Sequence, residues 1–362
     1  MLHLLALVAC TQTTPSFGDA GPDGGGGGGG GTMGFAPSDA PTDALLGVLE
    51  DQGGLASEDV ERLLEWIEVT YDPSRTHRVV RLASVDGYWF TDPEPVRDAA
   101  SVPGAMVDGA GTHWVVYNDK DLGALADILR DSPRTLWRRG LVGVGGLGLM
   151  RRTAGATDWE EVDIDLRLPR PAVVVDPDIG LDADGNLRLA WFGTPFDATE
   201  DPLGDPYAFD LPHRFWVGRG PDATRLESPV LAVASREGRS GGVDPFVQDV
   251  PDGEVLWVGM PEAAMPGWHR RADQAWDPDA EPDRRANVAW SAPHMLRDDS
   301  RAWRGYGHGG DLPGVWMRTS PDGVTWSAAQ AVTDEDGLSS PSVVRDPDGT
   351  WWLYAVQSGA GD

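Results

Sequence analysis

The chain has 362 residues, with 58 acidic against 29 basic side chains and a net charge of −29. That balance excludes nucleic acid and anionic membrane surfaces as electrostatic partners, while the length allows one large domain or two ordinary ones. A single cysteine, Cys10, excludes an intrachain disulfide, and 16 Trp with 47 Gly suit a fold of short strands and turns.

Taken in order, the chain opens MLHLLALVAC, an apolar run ending Leu7-Val8-Ala9-Cys10. This resembles a bacterial lipoprotein signal over residues 1–10, whose lipobox cysteine is lipidated and becomes the mature N-terminus. The resemblance implies an envelope protein attached to the membrane only through a lipid on Cys10. Thr11 and Gln12 follow the cysteine in place of Asp, which favours the outer membrane over the inner. No other stretch approaches 18 apolar residues, so no second membrane span is expected. Residues 11–43 read as a tether, because Gly24 to Gly31 form an unbroken glycine run that cannot offset the entropy of ordering. Residues 44–77 are a helical lead-in. Its helix, 57–68, has Ser57 as cap and Val60, Leu63, Leu64 and Ile67 on one face. A second helix is expected over 121–130, with Leu122, Leu125, Ile128 and Leu129 as its stripe.

From residue 78 a unit recurs: a short apolar strand entered at a proline, a turn rich in Asp and Gly, then an aromatic strand. Its prolines are Pro103, Pro177, Pro245, Pro293 and Pro341, and its turns include Asp108-Gly109, Asp184-Gly185, Asp252-Gly253 and Asp348-Gly349. Asp and Gly tolerate the positive φ of primed hairpin turns, so each unit reads as a hairpin. The unit at Pro293 is the weakest, with a polar turn at Asp298-Asp299-Ser300. A further strand pair follows some units, as in Val315 to Trp326 around Ser320-Pro321-Asp322-Gly323. The fifth unit has no such pair after it. The missing pair precedes the first unit, in Arg78 to Phe90 around Ser84-Val85-Asp86-Gly87. The prediction is an all-β, five-bladed propeller over residues 78–362, closed by an N-terminal hairpin that completes the C-terminal blade, with one or two peripheral helices.

In such blades the long loops, about 118–144, 194–213, 261–287 and 307–314, gather at one end. The residues before the five prolines, Val102, Asp176, Asp244, Ala292 and Ser340, should ring the mouth of the central channel there. Two carboxylates near one axis, Asp176 and Asp244, are a candidate acid/base pair because like charges push their pKa values apart. The bland alternative is that each Asp simply bonds nearby backbone N–H groups at a strand entry.

The Asp-Pro, Asp-Gly-turn, aromatic-strand pattern in five blades resembles the superfamily of arabinanases, β-xylosidases, levansucrases and invertases, over roughly residues 78–358. That resemblance implies three carboxylates at the channel mouth, with Asp176 as base or nucleophile and Asp244 as the supporting acid. The third equivalent position is Ala292, which departs from the family pattern; Glu262 is the best replacement acid. Asp119, Asp197 and His308 occupy comparable positions on the same end. Aromatic faces stack on sugars, so Trp268 and Trp276 in the third long loop, and Tyr207 with Phe209 and His213 in or beside the second, are the binding candidates, with His308. Asp182 to Asn186 resembles the start of a calcium loop but has Leu187 and Gly193 where Gly and Glu are needed, so a plain turn is expected. Ser320 to Trp326 is similar to the Asp-box of sialidases, one residue short, and implies a structural turn. No cofactor and no metal are expected, and the chain should be a monomer. Two functions remain open: a propeller that binds or hydrolyses glycans, and a non-catalytic scaffold binding a protein or sugar at the cell envelope.

Overall fold

The computed structural model describes residues 56–58, 60–61, 77–131, 138–139, 146–168, 174–182, 184–193, 214–234, 243–260, 263–297, 302–308 and 314–358. Among these, the strands form five four-stranded antiparallel sheets, and the protein is a five-bladed β-propeller. Blade 1 holds β3 (Ala100–Val107), β4 (His113–Asp119), β5 (Leu147–Arg152) and β6 (Glu160–Glu161). Blade 2 holds β7 (Val175–Leu181), β8 (Leu187–Phe192), β9 (Arg214–Gly220) and β10 (Val230–Ala234). Blade 3 holds β11 (Val243–Val250), β12 (Gly253–Gly259), β13 (Pro266–Arg271) and β14 (Arg284–Arg285). Blade 4 holds β15 (Ser291–Arg297), β16 (Trp303–His308), β17 (Val315–Ser320) and β18 (Gln330–Ala331). Blade 5 joins β19 (Leu338–Arg345) and β20 (Trp351–Ser358) to β1 (His77–Ser84) and β2 (Thr91–Asp98), in the order β19-β20-β1-β2.

The N-terminal hairpin therefore closes the ring, as the missing outer pair of the fifth unit implies. β1 pairs with β20 without a break, from His77 opposite Ser358 to Ser84 opposite Trp351. The innermost strands β3, β7, β11, β15 and β19 each touch the next around the axis, and β19 touches β3. A closed ring leaves only short outer edges exposed, which suits blades too small to bury both faces alone.

Each innermost strand carries the same irregularity. Its ladder slips at the repeated proline, between Ser101 and Gly104, Val175 and Asp178, Val243 and Pro245, Ser291 and His294, and Ser339 and Ser342. The residue before the proline has positive φ in every blade: Val102 at 47°, Asp176 at 51°, Asp244 at 54°, Ala292 at 44° and Ser340 at 47°. Side chains other than Gly rarely adopt that region, so five repeats of it mark a built bulge. Proline fits because it lacks an N–H and the bulge interrupts pairing anyway.

The hairpin turns differ from the primed type. In blades 1, 2 and 5 an Asp carbonyl accepts the N–H of a glycine three residues on, Gly111, Gly185 or Gly349, at 2.9 Å each. Only these glycines take positive φ; Asp184 and Asp348 do not. In blade 1 the positive-φ residue is Gly111 and not Gly109. The leading Asp side chain caps the turn, as Asp182 does for Asp184 at 3.0 Å and Asn186 at 2.9 Å, so the calcium-like stretch is a plain turn.

Large aromatics fill the space between blades. Trp191, Trp257, Trp290, Trp316, Tyr117, Tyr306 and Tyr354 are fully buried. The short helix α1 (Leu122–Asp131) is capped by Asp121, whose carboxylate accepts the Gly123 N–H at 2.9 Å, and buries Leu125 and Leu129 against blades 1 and 2. Of the helix expected over 57–68, residues 57, 58, 60 and 61 are helical and Val60 joins the same core; the rest lies outside the described residues, as do Cys10 and the glycine run. Removing residues 1–99 should leave the outer edge of β20, the edge that β1 pairs, open along its whole length and abolish cooperative thermal unfolding by circular dichroism; a single sharp transition in that truncated protein would contradict closure by β1.

Candidate functional site

The five bulges bring the residues before the prolines together. Val102, Asp176, Asp244, Ala292 and Ser340 line one small pocket on the ring axis, partly open to solvent, with Gly104, Asp178, His294 and Ser342 beside them. All five sit near the starts of innermost strands, at the end where the second strand of each blade finishes. Asp176 and Asp244 are each 7% exposed.

A bulge frees a backbone N–H from its ladder, and a buried N–H needs an acceptor. Here the neighbouring blade supplies it. The Asp176 carboxylate accepts the backbone N–H of Asp244 and the side-chain amide of Asn118. Asp244 Oδ2 accepts the Ala292 N–H at 2.9 Å. Ala292 has no acceptor to pass on, and His308 takes over, its Nδ1 accepting the Ser340 N–H at 3.1 Å. Two residues further along each strand, Asp178 Oδ2 accepts the Val247 N–H at 3.1 Å, His294 Nδ1 the Val343 N–H at 3.2 Å and Ser342 Oγ the Ala105 N–H at 2.9 Å. Every junction between blades is thus crossed by a polar contact at the channel.

Burial sets the protonation of these groups. The Asp176 carboxyl is pushed well above the usual carboxylate range, first by burial and then by the charge of Asp244. Asp244 rises to about 6, again by burial, with the Ala292 N–H opposing. Both carboxyls are therefore harder to ionise than a free one, and the charge of either opposes that of the other. Asp178 rises to about 7 because it is buried, despite the Val247 N–H and the Arg188 guanidinium. Burial lowers His294 and His308 to about 4 each, so both rings are neutral and can accept through Nδ1. A carboxyl that keeps its proton both donates and accepts hydrogen bonds, which suits a hydroxyl-bearing ligand or proton transfer.

The other expected site residues lie elsewhere. Trp268 is not in a loop: it sits in β13 opposite Leu256, is 8% exposed, and donates its indole N–H to the Ala280 carbonyl at 3.0 Å. Trp276 is in a loop but is half-buried against the core, with the Arg270 guanidinium over its ring at 5.7 Å. His308 ends β16 with its Nδ1 engaged by Ser340. Asp119 ends β4, buried in an ion pair with Arg139 at 2.7 Å. Glu262, Tyr207, Phe209, His213 and Asp197 lie outside the described residues.

Sequence reading missed Asp178, His294 and Asn118. The first two were within reach: they follow the repeated proline, at the position held by Gly104, Phe246 and Ser342 in the other blades. Asn118 and His308 occupy equivalent ends of second strands, opposite Ser101 and Ser291. Among the described residues, no three His, Cys, Asp or Glu side chains gather in a way that would hold a metal ion.

No protein-family model matches the chain, and no curated protein is significantly similar in sequence. Solved structures that resemble it include glycoside hydrolases. An exo-β-1,3-galactanase from Clostridium thermocellum is 16% identical over 75% of this chain and 57% of its own, with a TM-score of 0.48. A thermostable family-43 glycoside hydrolase is 9% identical over 72% and 88%, with a TM-score of 0.47. The catalytic domain of a family-62 α-L-arabinofuranosidase from Coprinopsis cinerea is 11% identical over 80% and 99%, with a TM-score of 0.45.

The raised Asp178 has a consequence for stability. A carboxyl whose folded pKa lies above its unfolded one stabilises fully below the unfolded value and loses that contribution as pH rises through the folded value, about 7. His294 and His308 act oppositely as pH falls from their ordinary value to about 4, so the comparison must be with a variant. Asp178→Asn keeps an acceptor for Val247 and cannot ionise. Its melting temperature should gain on that of the full wild-type chain as pH rises from 4 to 7; a constant difference across that range would contradict a buried, protonating Asp178.

Proposed function

We propose that the channel mouth binds an uncharged glycan, with Asp176 and Asp244 as its polar centre. The observation that carries this reading is the buried pair Asp176 and Asp244, both lining a pocket partly open to solvent and both with ionisation opposed by burial. Perturbed carboxyls gathered in a cleft are a functional-site signature. A carboxyl that keeps its proton matches a sugar hydroxyl, which also donates and accepts. The net charge of −29 disfavours anionic ligands. The sequence's resemblance to arabinanases and their relatives points to glycans as the class. Binding is favoured over turnover because the third equivalent position carries only the methyl group of Ala292, and the two carboxylates already serve the neighbouring blade.

Asp176→Asn and Asp244→Asn each keep an acceptor for the backbone N–H they serve while removing the carboxyl. Against a panel of uncharged plant and bacterial oligosaccharides, each should weaken binding by about tenfold, the loss of roughly one charge-assisted hydrogen bond, without lowering the melting temperature. Hydrolysis by the wild type that both variants abolish would make the protein a glycosidase. Neither binding nor turnover across the panel would overturn the glycan reading.

The same reading holds the protein at the cell envelope, lipid-anchored through Cys10. In a bacterial host the full chain should partition into the detergent phase of a Triton X-114 extract, and Cys10→Ser should move it to the aqueous phase; equal partitioning of the two would overturn the anchor.

A further inference from the structure

Among the described residues, four large hydrophobic side chains are exposed, and three of them lie in one turn: Val85 at 93%, Tyr88 at 38% and Trp89 at 47%. The turn joins β1 to β2 in the closing blade. Ser84 at its start pairs with Trp351, at the far end of β20 from the mouth. The turn is therefore at the end of the ring opposite Asp176 and Asp244.

The fold contains its own controls for this turn. Ser84 to Phe90 repeats in blade 4 as Ser320 to Trp326 and, more loosely, in blade 2 as Gly220 to Leu226. Ser84 Oγ accepts the Gly87 N–H at 2.9 Å, and Ser320 Oγ the Gly323 N–H at 2.8 Å. Gly87 and Gly323 share φ of 75° and 77°. The final residues, Phe90, Trp326 and Leu226, are all buried. Where blade 5 has Tyr88-Trp89, blade 4 has Val324-Thr325 and blade 2 has Thr224-Arg225. The turn geometry thus does not require aromatics at these two positions, and the core does not receive them.

The backbone of the turn that carries the pair is anchored. Tyr306 Oη donates to the Gly87 carbonyl at 2.8 Å, Arg304 donates to the Asp86 carbonyl, and the Phe90 N–H donates to the Val332 carbonyl at 2.7 Å. The Asp86 carboxylate accepts the Tyr88 N–H at 2.8 Å. The Arg304 guanidinium lies 4.3 Å from the Tyr88 ring centroid. Exposed rings on a fixed backbone lose little entropy when they bind.

We propose that Tyr88 and Trp89 form a stacking platform for the apolar face of an uncharged sugar ring, a second glycan-binding site at the end of the propeller away from the mouth. Charge and size choose this occupant. The local carboxylate and guanidinium, Asp86 and Arg304, are both engaged by the turn itself, so the platform offers no net charge, and a chain at −29 repels anionic surfaces. Three side chains on one turn fall far short of the roughly 800 Å² per partner of a stable protein interface, yet they match one or two sugar rings. The platform stands independently of the reading of the mouth.

The test is affinity electrophoresis of the full chain through gels containing soluble xylan, starch or a β-1,3-glucan. At least one should retard the wild type. Trp89→Ala should weaken that retardation by about tenfold, the scale of a lost aromatic stack, at an unchanged melting temperature. Trp89→Tyr should restore most of it, and Thr325→Ala, in the blade 4 turn, should change nothing. The effect of Trp89→Ala should be the same size in an Asp176→Asn background. Retardation that Asp176→Asn abolishes and Trp89→Ala leaves belongs to the mouth and overturns the platform. So does the absence of retardation in all three gels, and so does self-association in ultracentrifugation that Trp89→Ala removes.

Discussion

The bulge before each repeated proline is the constraint on which this ring depends. It turns one non-glycine residue per blade into positive φ and breaks the inner ladder there. The backbone N–H groups it frees are buried and must be answered. They are answered from the neighbouring blade, by Asp176, Asp178, Asp244, His294, His308 and Ser342. Ring closure and the polar lining of the channel are therefore one set of interactions. An apolar residue at these acceptor positions would leave an unpaired N–H in the channel wall, a cost of about 1–3 kcal/mol each.

This explains why acids sit buried in the channel wall at all. Asp178, between Val247 and Arg188, rises to about 7 and is substantially protonated near neutrality. In the Asp176 and Asp244 pair burial and mutual repulsion oppose ionisation, while Asn118 and the Asp244 N–H bond Asp176 and the Ala292 N–H bonds Asp244. Any ligand at the mouth meets carboxyls with a structural duty. That favours weak, reversible contacts to hydroxyl groups over chemistry that needs an acid free to change its partners.

The far end of the ring is secured differently. Arg188, buried in blade 2, reaches across to blade 3, bonding Asp249 at 2.7 Å, the Val247 carbonyl at 2.8 Å and Glu254 at 3.3 Å. Arg219 and Arg270 also bind Glu254, which stays ionised below its usual pKa despite burial because three guanidinium groups surround it. In blade 5 the turn after β1 is anchored to blade 4 through Tyr306 and Arg304. A closing hairpin fixed at its tip presents Tyr88 and Trp89 to solvent on an anchored backbone, whereas a free loop would have to be ordered by its ligand.

The sequence by itself determined the ring. The prolines at 103, 177, 245, 293 and 341, and the spare strand pair around Ser84 to Phe90, carry the blade count and the closure, because strand and turn signals are local and repeat. It also determined which five residues meet at the mouth, since register follows from the repeat. Only the tertiary structure decided what those residues do. That Asp176 and Asp244 bind the next blade's backbone follows from positive φ at the bulge, which a propensity for hairpins does not reveal. Trp268 read as a loop aromatic because its strand, β13, is short and polar at one end, yet pairing with β12 buries it. Exposure of Trp89 was equally invisible: buried Phe90 stands next to it, and only packing against blade 4 settles which ring faces inward.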